Sequence, residues 1–470
     1  MKTTDKDAEG RARKGSFEAY KKKEKRTRRA WHRIRSAVFW TVLLVFGVIG
    51  LLIPLRPTRS VNEKRELAHF PKLTAASLWN GDFFSDVVTW YTDTFPTREA
   101  LIKGAGAFEN LYGIRNEVIY GNADTSTDSI PDTDSQSAAP LLTDTAPAES
   151  SAETAQGSGA ETAEADAGGT IGQTPEVAGN VYVSGDRAFS IFYFATDNMD
   201  TYASMINTVK YKVGDGVNVY DLVAPTSFGV YLSEDVQQSM GGSSEKKAIA
   251  YIDSRLQSNV TAVDFFDDLV SLNSQYLYFR TDHHWTALGA YYAYCKFCQA
   301  KGIEPQNLGQ LQQVEYDGFL GTLYSGSDQS AALAANPDSV IAYIPSETNE
   351  ETITRTDGSS FTWPIIRDGN ELSAGNKYLT FIGGDQPMVE IDNPDITDGS
   401  TCVVVKDSYG NAFVPFLVGH YQRVLVLDYR YYTGNATQLV KDTGASDVIF
   451  VNCVDVITES TAMQMNALFQ

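Results

Sequence analysis

Thr401–Leu417 reads TCVVVKDSYGNAFVPFL, and its reading sets the fold class. Cys402–Val405 is a short, unbroken apolar run rich in valine, too brief for a helix and suited to a strand buried on both faces. Three polar residues follow, Lys406, Asp407 and Ser408, and apolar spacing resumes at Phe413–Leu417 in a helical pattern. This is a strand, a turn and a helix. At the carboxyl end of such a strand a side chain stands at the sheet edge, and N–H groups at the start of the next helix face the same space. A serine hydroxyl there has oxyanion-stabilising donors within reach, which makes Ser408 a candidate nucleophile. A serine on such a turn is equally an ordinary structural residue.

The same texture extends outward. Expected strands are Val217–Val223, Ala262–Phe265, Tyr276–Phe279, Tyr378–Phe381, Val424–Leu427 and Val448–Asn452. Helical patterns cover Met199–Val213, Lys246–Gln257, Ala287–Ala300 and Ala436–Thr443. Short apolar strands alternating with helices predict an α/β domain whose mainly parallel sheet is covered on both faces. Residues 303–376 are richer in turn residues and suggest a hairpin around TRTDGSSFTW.

A second polar cluster lies at Arg280–Gly289, RTDHHWTALG, which holds two of the five histidines of the chain. In an extended segment Asp282 and His284 project to one side and His283 to the other. An acid so placed orients a neighbouring imidazole and stabilises its protonated form, as in a hydrolase triad. Thr286 can cap the helix beginning at Ala287. The doublet also fits a polar turn or, with carboxylates or His420 added, a metal site. Taken with Ser408, Asp282 and His284 complete the acid, base and nucleophile set.

Composition narrows the class. The formal net charge is −21, yet residues 1–36 carry +9, which leaves −30 for the remainder. So acidic a body would be repelled by nucleic acid. The basic arm precedes Ala37–Leu55, AVFWTVLLVFGVIGLLIPL, an uncharged run of transmembrane length. The positive-inside rule then places residues 1–36 in the cytoplasm, 37–55 in the cell membrane as a single-pass anchor, and the rest outside the cell. Gly121–Asn180 is Ser, Thr, Ala, Gly, Asp and Glu with scattered Pro, and reads as a disordered acidic insertion. Cys295 and Cys298 form a C-x-x-C within a helix and read as one helix face, while Cys402 and Cys453 read as core.

TDHHW followed by a small-residue helix, then KDSYGN, resembles the bacterial DHHW proteins, relatives of the alginate-type O-acetyltransferases in the SGNH hydrolase superfamily. NEKRELAHFPKL, YTDTFPTREALIKG and LVLDYRYY are similar to further family segments, so the resemblance spans roughly Arg59–Gln470, interrupted by the insertion. It implies an SGNH-like three-layer domain at 181–470, with residues 56–120 as its helical lead-in and 121–180 inserted between. It further implies Ser408 as nucleophile, His284 as base and Asp282 as orienting acid, with the serine last in chain order. Backbone amides of Ser408, Tyr409 and Gly410, with Asn411, are the oxyanion candidates. Tyr409 and Arg430 are candidates for lining a sugar cleft. The implied activity is O-acetyl transfer to, or hydrolysis from, a cell-surface polysaccharide, without cofactor or metal, with an integral membrane acyl-transfer partner. Lys406 departs from the Gly-Asp-Ser of many esterases. The alternative is a non-catalytic cell-envelope binding protein that keeps the fold.

Overall fold

The computed structural model describes residues 127–142 and 180–470 without a break, together with Thr41, Arg56 and short stretches between residues 58 and 120. It divides into two compact units, Met1–Val61 with Arg65–Leu101, and Asn62–Lys64 with Ile102–Gln470. In the smaller unit, Arg59–Ser60 pairs antiparallel with Arg65–Glu66. Its helix, Asp82–Asp93, presents Trp90 to the Arg56 guanidinium, which lies 3.9 Å above the ring.

The larger unit is built on an eight-stranded sheet. Its strands are β1 (Asn218–Ala224), β2 (Thr261–Ala262), β3 (Glu350–Thr354), β4 (Ser360–Pro364), β5 (Met388–Asp392), β6 (Thr401–Lys406), β7 (Arg423–Asp428) and β8 (Asp447–Cys453). They lie in the order β4-β3-β5-β7-β6-β8-β1-β2. From β7 to β2 all neighbours are parallel. The other edge, β5, β3 and β4, is antiparallel, and β3 with β4 forms the hairpin around TRTDGSSFTW.

The period of two along each strand sorts the core into two layers. Cys402, Val404, Val424, Val426, Ile449 and Val451 face one side, where they pack with Ala290, Tyr294 and Phe297 of helix Ala287–Lys301. Val403, Val405, Leu425, Leu427, Val448 and Phe450 face the other. There they meet helices Thr196–Val213, Glu245–Arg255, Ala436–Thr443 and Glu459–Leu468. This is a three-layer α/β arrangement with all six residues of β6 buried at its centre.

The chain leaves β6 through residues 410–420, which pack on the first face, and leaves β7 through helix Ala436–Thr443 on the second. β7 and β8 flank β6 on opposite sides. The carboxyl end of β6 is therefore a topological switch point, the position at which open α/β sheets generally place their ligand sites.

Several expectations require correction. Among the described residues, no helix is long and apolar enough to cross a membrane. The longest, Thr196–Val213, carries Asp197, Asp200, Lys210 and Lys212. Helix Ala287–Lys301, at 15 residues, spans about 22 Å against a hydrocarbon core of about 30 Å. The expected anchor, single-pass topology, cell-membrane location and membrane-embedded partner thus find no membrane-spanning helix among the described residues to support them. Residues 1–36 and, except for Thr41, 37–55 lie outside the described residues.

Part of the acidic insertion, residues 127–142, packs on the larger unit. The Asp128 amide donates to Phe194 O at 2.9 Å and the Ala139 amide to Arg255 O at 2.7 Å, and Ala139 is buried. Residues 143–179 lie outside the described residues. Glu117–Tyr120 pairs antiparallel with Val181–Ser184, so the ends of the insertion are held on neighbouring strands.

Tyr276–Phe279 joins no sheet and makes only an isolated bridge, Tyr278 to Trp285. Tyr378–Thr380 belongs instead to a 3-10 segment, Ala374–Thr380, and Phe381 makes only an isolated bridge to Ile366, because a short apolar run fits a buried turn as well as a strand. Asp338 replaces the sheet in fixing the first of these segments. It opens the second strand of the pair Gln312–Phe319 and Asp338–Ile344, and it is fully buried. Its carboxylate accepts from Arg280 N (3.0 Å), Thr281 N (2.7 Å), Thr281 Oγ1 (2.6 Å) and the Tyr276 hydroxyl.

Asp338→Ala strands these donors in the core, and is expected to cost on the order of 3 kcal/mol in urea unfolding. Hydrogen exchange at residues 276–284 should accelerate. An unchanged unfolding midpoint would show that Asp338 does not anchor the segment.

Candidate active site

Ser408 follows β6 after one residue, on a turn that Asp407 closes. The Asp407 carboxylate accepts from the Tyr409 amide at 2.8 Å and from the Cys453 amide, at the end of β8, at 2.6 Å. One helical turn, Gly410–Phe413, leads into the 3-10 stretch Val414–His420. Gly410 is required by close approach, since a Cβ there would lie 2.5 Å from Lys406 Cβ.

His284 arrives from the segment that Asp338 anchors, immediately before helix Ala287–Lys301. Thr286 caps that helix, its hydroxyl accepting from Gly289 N at 3.3 Å. Trp285 is fully buried, and its Nε1 donates to Tyr409 O at 2.9 Å, which ties this segment to the serine turn. His284 Nε2 and Ser408 Oγ are 2.7 Å apart, and His284 Nδ1 and Asp282 Oδ1 are 2.5 Å apart. The structure thus brings Asp282, His284 and Ser408 into one chain of hydrogen bonds, although 124 positions separate the last two in sequence.

The carboxylate of Asp282 is held by more than His284. Oδ1 also accepts the His284 amide at 3.0 Å, while Oδ2 accepts Thr322 N at 2.8 Å and Thr322 Oγ1 at 3.0 Å. Gly321 makes room for it, because a Cβ at that position would overlap Asp282 Oδ2. The amide bond to His284 is an Asx-type turn, which bends the chain here and defeats strict alternation. His283 therefore lies on the same side as His284, their ring centroids 3.8 Å apart, rather than on the opposite side as expected.

The electrostatics agree with the geometry. Burial alone would push the Asp282 carboxyl up, but the nearby His284 and His283 and the hydrogen bonds from His284 and Thr322 outweigh it. Asp282 is held well below the usual carboxylate range. Burial, with His283 alongside, lowers His284 to about 4 against the opposing pull of Asp282 and Asp385. At neutral pH Asp282 is then an anion that only accepts, so His284 Nδ1 carries the proton and Nε2 accepts from the Ser408 hydroxyl. Tyr378 fixes the ring plane, stacking on His284 at 3.8 Å and 13°, and its hydroxyl donates to Ser408 O at 3.0 Å.

The other expected residues hold different posts. The Tyr409 amide is committed to Asp407, the Gly410 amide to Asp407 O at 3.1 Å, and the Asn411 amide to Ser408 O at 3.2 Å. The Asn411 side chain donates to Asp385 at 2.9 Å. These three residues close the turn instead of presenting oxyanion donors. Tyr409 is buried, its hydroxyl donating to His283 O, so it lines no sugar cleft.

Arg430 grips Asp428 with two bonds, 2.8 and 2.6 Å, and reaches Asp385 at 3.1 Å. Lys406, buried entirely, meets Asp428 at 2.8 Å and Asp385 at 3.2 Å. Burial would lower its ammonium, but the two carboxylates raise it above the ordinary lysine value. The residue that departs from the Gly-Asp-Ser pattern thus belongs to a balanced ionic cluster beside the serine turn. Arg430 also borders a surface cavity of about 420 Å³ with Tyr429, Tyr432, Thr433 and Asn435, and the catalytic candidates do not line it.

Asp282, His283 and His284 have ligand atoms within 4.8 Å of one another, close enough for a metal ion. His284 Nδ1 and Asp282 Oδ1 already bond each other, and His283 Nδ1 and Asp282 Oδ2 are already engaged with Thr322. Sequence reasoning missed Thr322, Gly321, Tyr378, Asp338 and Asp385. All approach from the region of 303–386, and their spacing carries no periodic signal.

The chain matches the description "DHHW protein" over residues 63–427. Among solved structures it is similar to a DHHW family protein from Eubacterium siraeum DSM 15702, with 33% identity and a TM-score of 0.55, covering 62% of this chain and 93% of that one. It is also similar to PatB1 of Bacillus cereus, solved with a sulfonyl adduct, with 16% identity, a TM-score of 0.50, and coverage of 60% and 96%. The O-acetyltransferase domain of Pseudomonas putida AlgJ is 13% identical, with a TM-score of 0.31 and coverage of 60% and 96%. The PatB1 likeness concerns the fold alone, and the last is too loose to carry an argument. No curated protein matches the sequence.

The side-chain nitrogens of His284 are expected to titrate at about 4 by NMR, with a downfield Nδ1 proton present at neutral pH. Titration near the ordinary histidine value of ~6.5 would contradict the lowering by burial, and absence of the downfield Nδ1 proton would contradict the Nδ1-protonated form.

Proposed function

This chain belongs to the DHHW protein family, and on that premise we propose that it is a serine-nucleophile acyl-transfer enzyme acting on O-acetyl groups of a polysaccharide. The observation that carries the reading is the 2.7 Å contact between Ser408 Oγ and His284 Nε2, with His284 Nδ1 held by Asp282. Such a contact is within the reach required of a nucleophile and its base.

In the proposed mechanism Ser408 Oγ attacks the acetyl carbonyl as its proton passes to His284 Nε2. The imidazolium that forms is stabilised by the Asp282 anion. The Ser408 backbone amide is the proposed oxyanion donor. Collapse of the tetrahedral adduct breaks the ester C–O bond, and His284 returns the proton to the departing sugar oxygen. The acetyl group is then on Ser408. A hydroxyl of a second sugar, or water, loses its proton to His284 and attacks the acetyl carbon. Breakage of the Ser408 ester bond restores the hydroxyl with that proton.

One observation favours a second reading, a binding protein that keeps the fold. Ser408 and His284 are only 2 % and 3 % exposed, so a substrate needs the lining side chains to move.

The two readings part on covalent trapping. A fluorophosphonate is expected to add to Ser408, located by peptide mass spectrometry, and to spare the His284→Ala protein. Ser408→Ala should cut release of p-nitrophenol from p-nitrophenyl acetate by at least about 10³-fold. Wild-type turnover by that variant would sink the mechanism, and absence of labelling together with absence of turnover would favour the binding reading.

A further inference from the structure

We propose that His283 and Thr322 are positioning residues, a hydrogen-bonded brace that holds Asp282 Oδ2 while His284 holds Oδ1. The inference rests on the acyl-transfer reading of Ser408, His284 and Asp282. Its starting point is a constraint on one proton. Thr322 Oγ1 lies 3.0 Å from Asp282 Oδ2 and 2.6 Å from His283 Nδ1, and a hydroxyl has a single hydrogen to give. The ionised carboxylate accepts only. If the threonine proton went to His283, two oxygens would face each other at 3.0 Å in the core with no hydrogen between them. The proton therefore goes to Asp282, and His283 Nδ1 carries the hydrogen that it donates to Thr322 Oγ1.

The result is a directed chain that closes on the acid from both ends. His283 donates to Thr322, Thr322 donates to Asp282, and on the other side Ser408 donates to His284, which donates to Asp282. With the amides of His284 and Thr322, Asp282 receives four hydrogen bonds, two on each oxygen. All four of its lone-pair directions are filled, so the carboxylate cannot rotate without breaking one of them. Further contacts keep the brace itself in place. The carbonyl of His283 accepts the Tyr409 hydroxyl, and the Thr281 carbonyl accepts the Tyr324 amide at 2.8 Å. His283, the histidine that the triad leaves over, then serves to aim the acid.

The test compares Thr322→Val, which deletes the hydroxyl and keeps the amide and the shape, with Thr322→Ser, which keeps the hydroxyl. His283→Ala removes the upstream donor. For p-nitrophenyl acetate, Thr322→Val is expected to lower kcat by about 10–100-fold, the cost of a small misplacement, with KM within about twofold. Thr322→Ser should restore kcat to within about threefold of wild type. The downfield proton on His284 Nδ1, to be recorded in the unliganded protein, should shift or broaden in Thr322→Val and in His283→Ala and return in Thr322→Ser.

Wild-type kcat with an unmoved proton resonance in folded Thr322→Val would overturn the brace. If Thr322→Val fails to fold, His283→Ala decides on the same readouts. The resonance needs no turnover, so a protein inactive toward every ester, whose resonance still responds, would refute the acyl-transfer reading and leave the brace standing. Activity with an unresponsive resonance would do the reverse.

Discussion

The site depends on keeping one carboxylate ionised inside the core. Asp282 is buried, and an isolated ion there would cost several kcal/mol. Four hydrogen bonds, each worth about 1.5–3 kcal/mol to a charged acceptor, offset that cost. They also fix where the charge points. Because Asp282 stays an anion, His284 must place its proton on Nδ1, and because His284 is itself buried it stays neutral near pH 7. Those two conditions leave Nε2 as an acceptor facing Ser408 Oγ. The tautomer, the ring plane and the serine rotor thus follow from the surroundings of a single acid.

Beside the serine turn a second charged group is handled differently. Lys406 and Asp428 are register partners on parallel β6 and β7, so the period of two puts both on the same buried face. Burial pushes the Asp428 carboxyl up, and Lys406 beside it pulls the other way. Two cations, Lys406 and Arg430, and two carboxylates, Asp428 and Asp385, balance one another. A buried ionic cluster of this kind is weak evidence for stability, but breaking one partner leaves an uncompensated charge. Here it links three segments that bear on the turn: β6, which leads into the serine turn, β7, and the loop that carries Asp385. Asp385 also receives the Asn411 side chain, so the cluster reaches into the residues that close the serine turn.

The strands and helices that build the layers were legible because burial on both faces demands unbroken apolar runs, as at Cys402–Val405 and Val448–Val451. The segments that orient the site were not. Tyr278 and Tyr378 sit in runs as apolar as any strand, yet one is pinned by Asp338 and the other wound into a 3-10 turn. Only tertiary hydrogen bonds distinguish these from sheet. His283 was misplaced for a related reason. Alternation assumes an extended chain, and the Asp282 carboxylate, by accepting the amide two residues on, bends it. Thr322 and Gly321 matter through a backbone amide, one hydroxyl and a missing Cβ, none of which leaves a mark in composition or periodicity. In the acidic insertion, composition concealed Ala139, a single small apolar residue that docks against the core.

The order of acid, base and serine along the chain has no bearing on the chemistry once the sheet is laid out. Only β6 has β7 on one side and β8 on the other, with connections leaving on opposite faces, so the switch point lies at its carboxyl end. A serine on the turn after β6 stands at that switch point wherever β6 falls in sequence. The base has only to reach the same place from the face lined by helix Ala287–Lys301, and the segment before that helix is tied to the serine turn through Trp285 and Tyr409. A covering segment from 303–386 then supplies what the turn itself lacks: Thr322 and Gly321 for the acid, Tyr378 for the base, and Asp385 for the turn. The sheet therefore sets the location of the chemistry, and this less regular segment sets its precision. That division of labour explains why the first was readable from hydrophobic pattern and the second only from contacts.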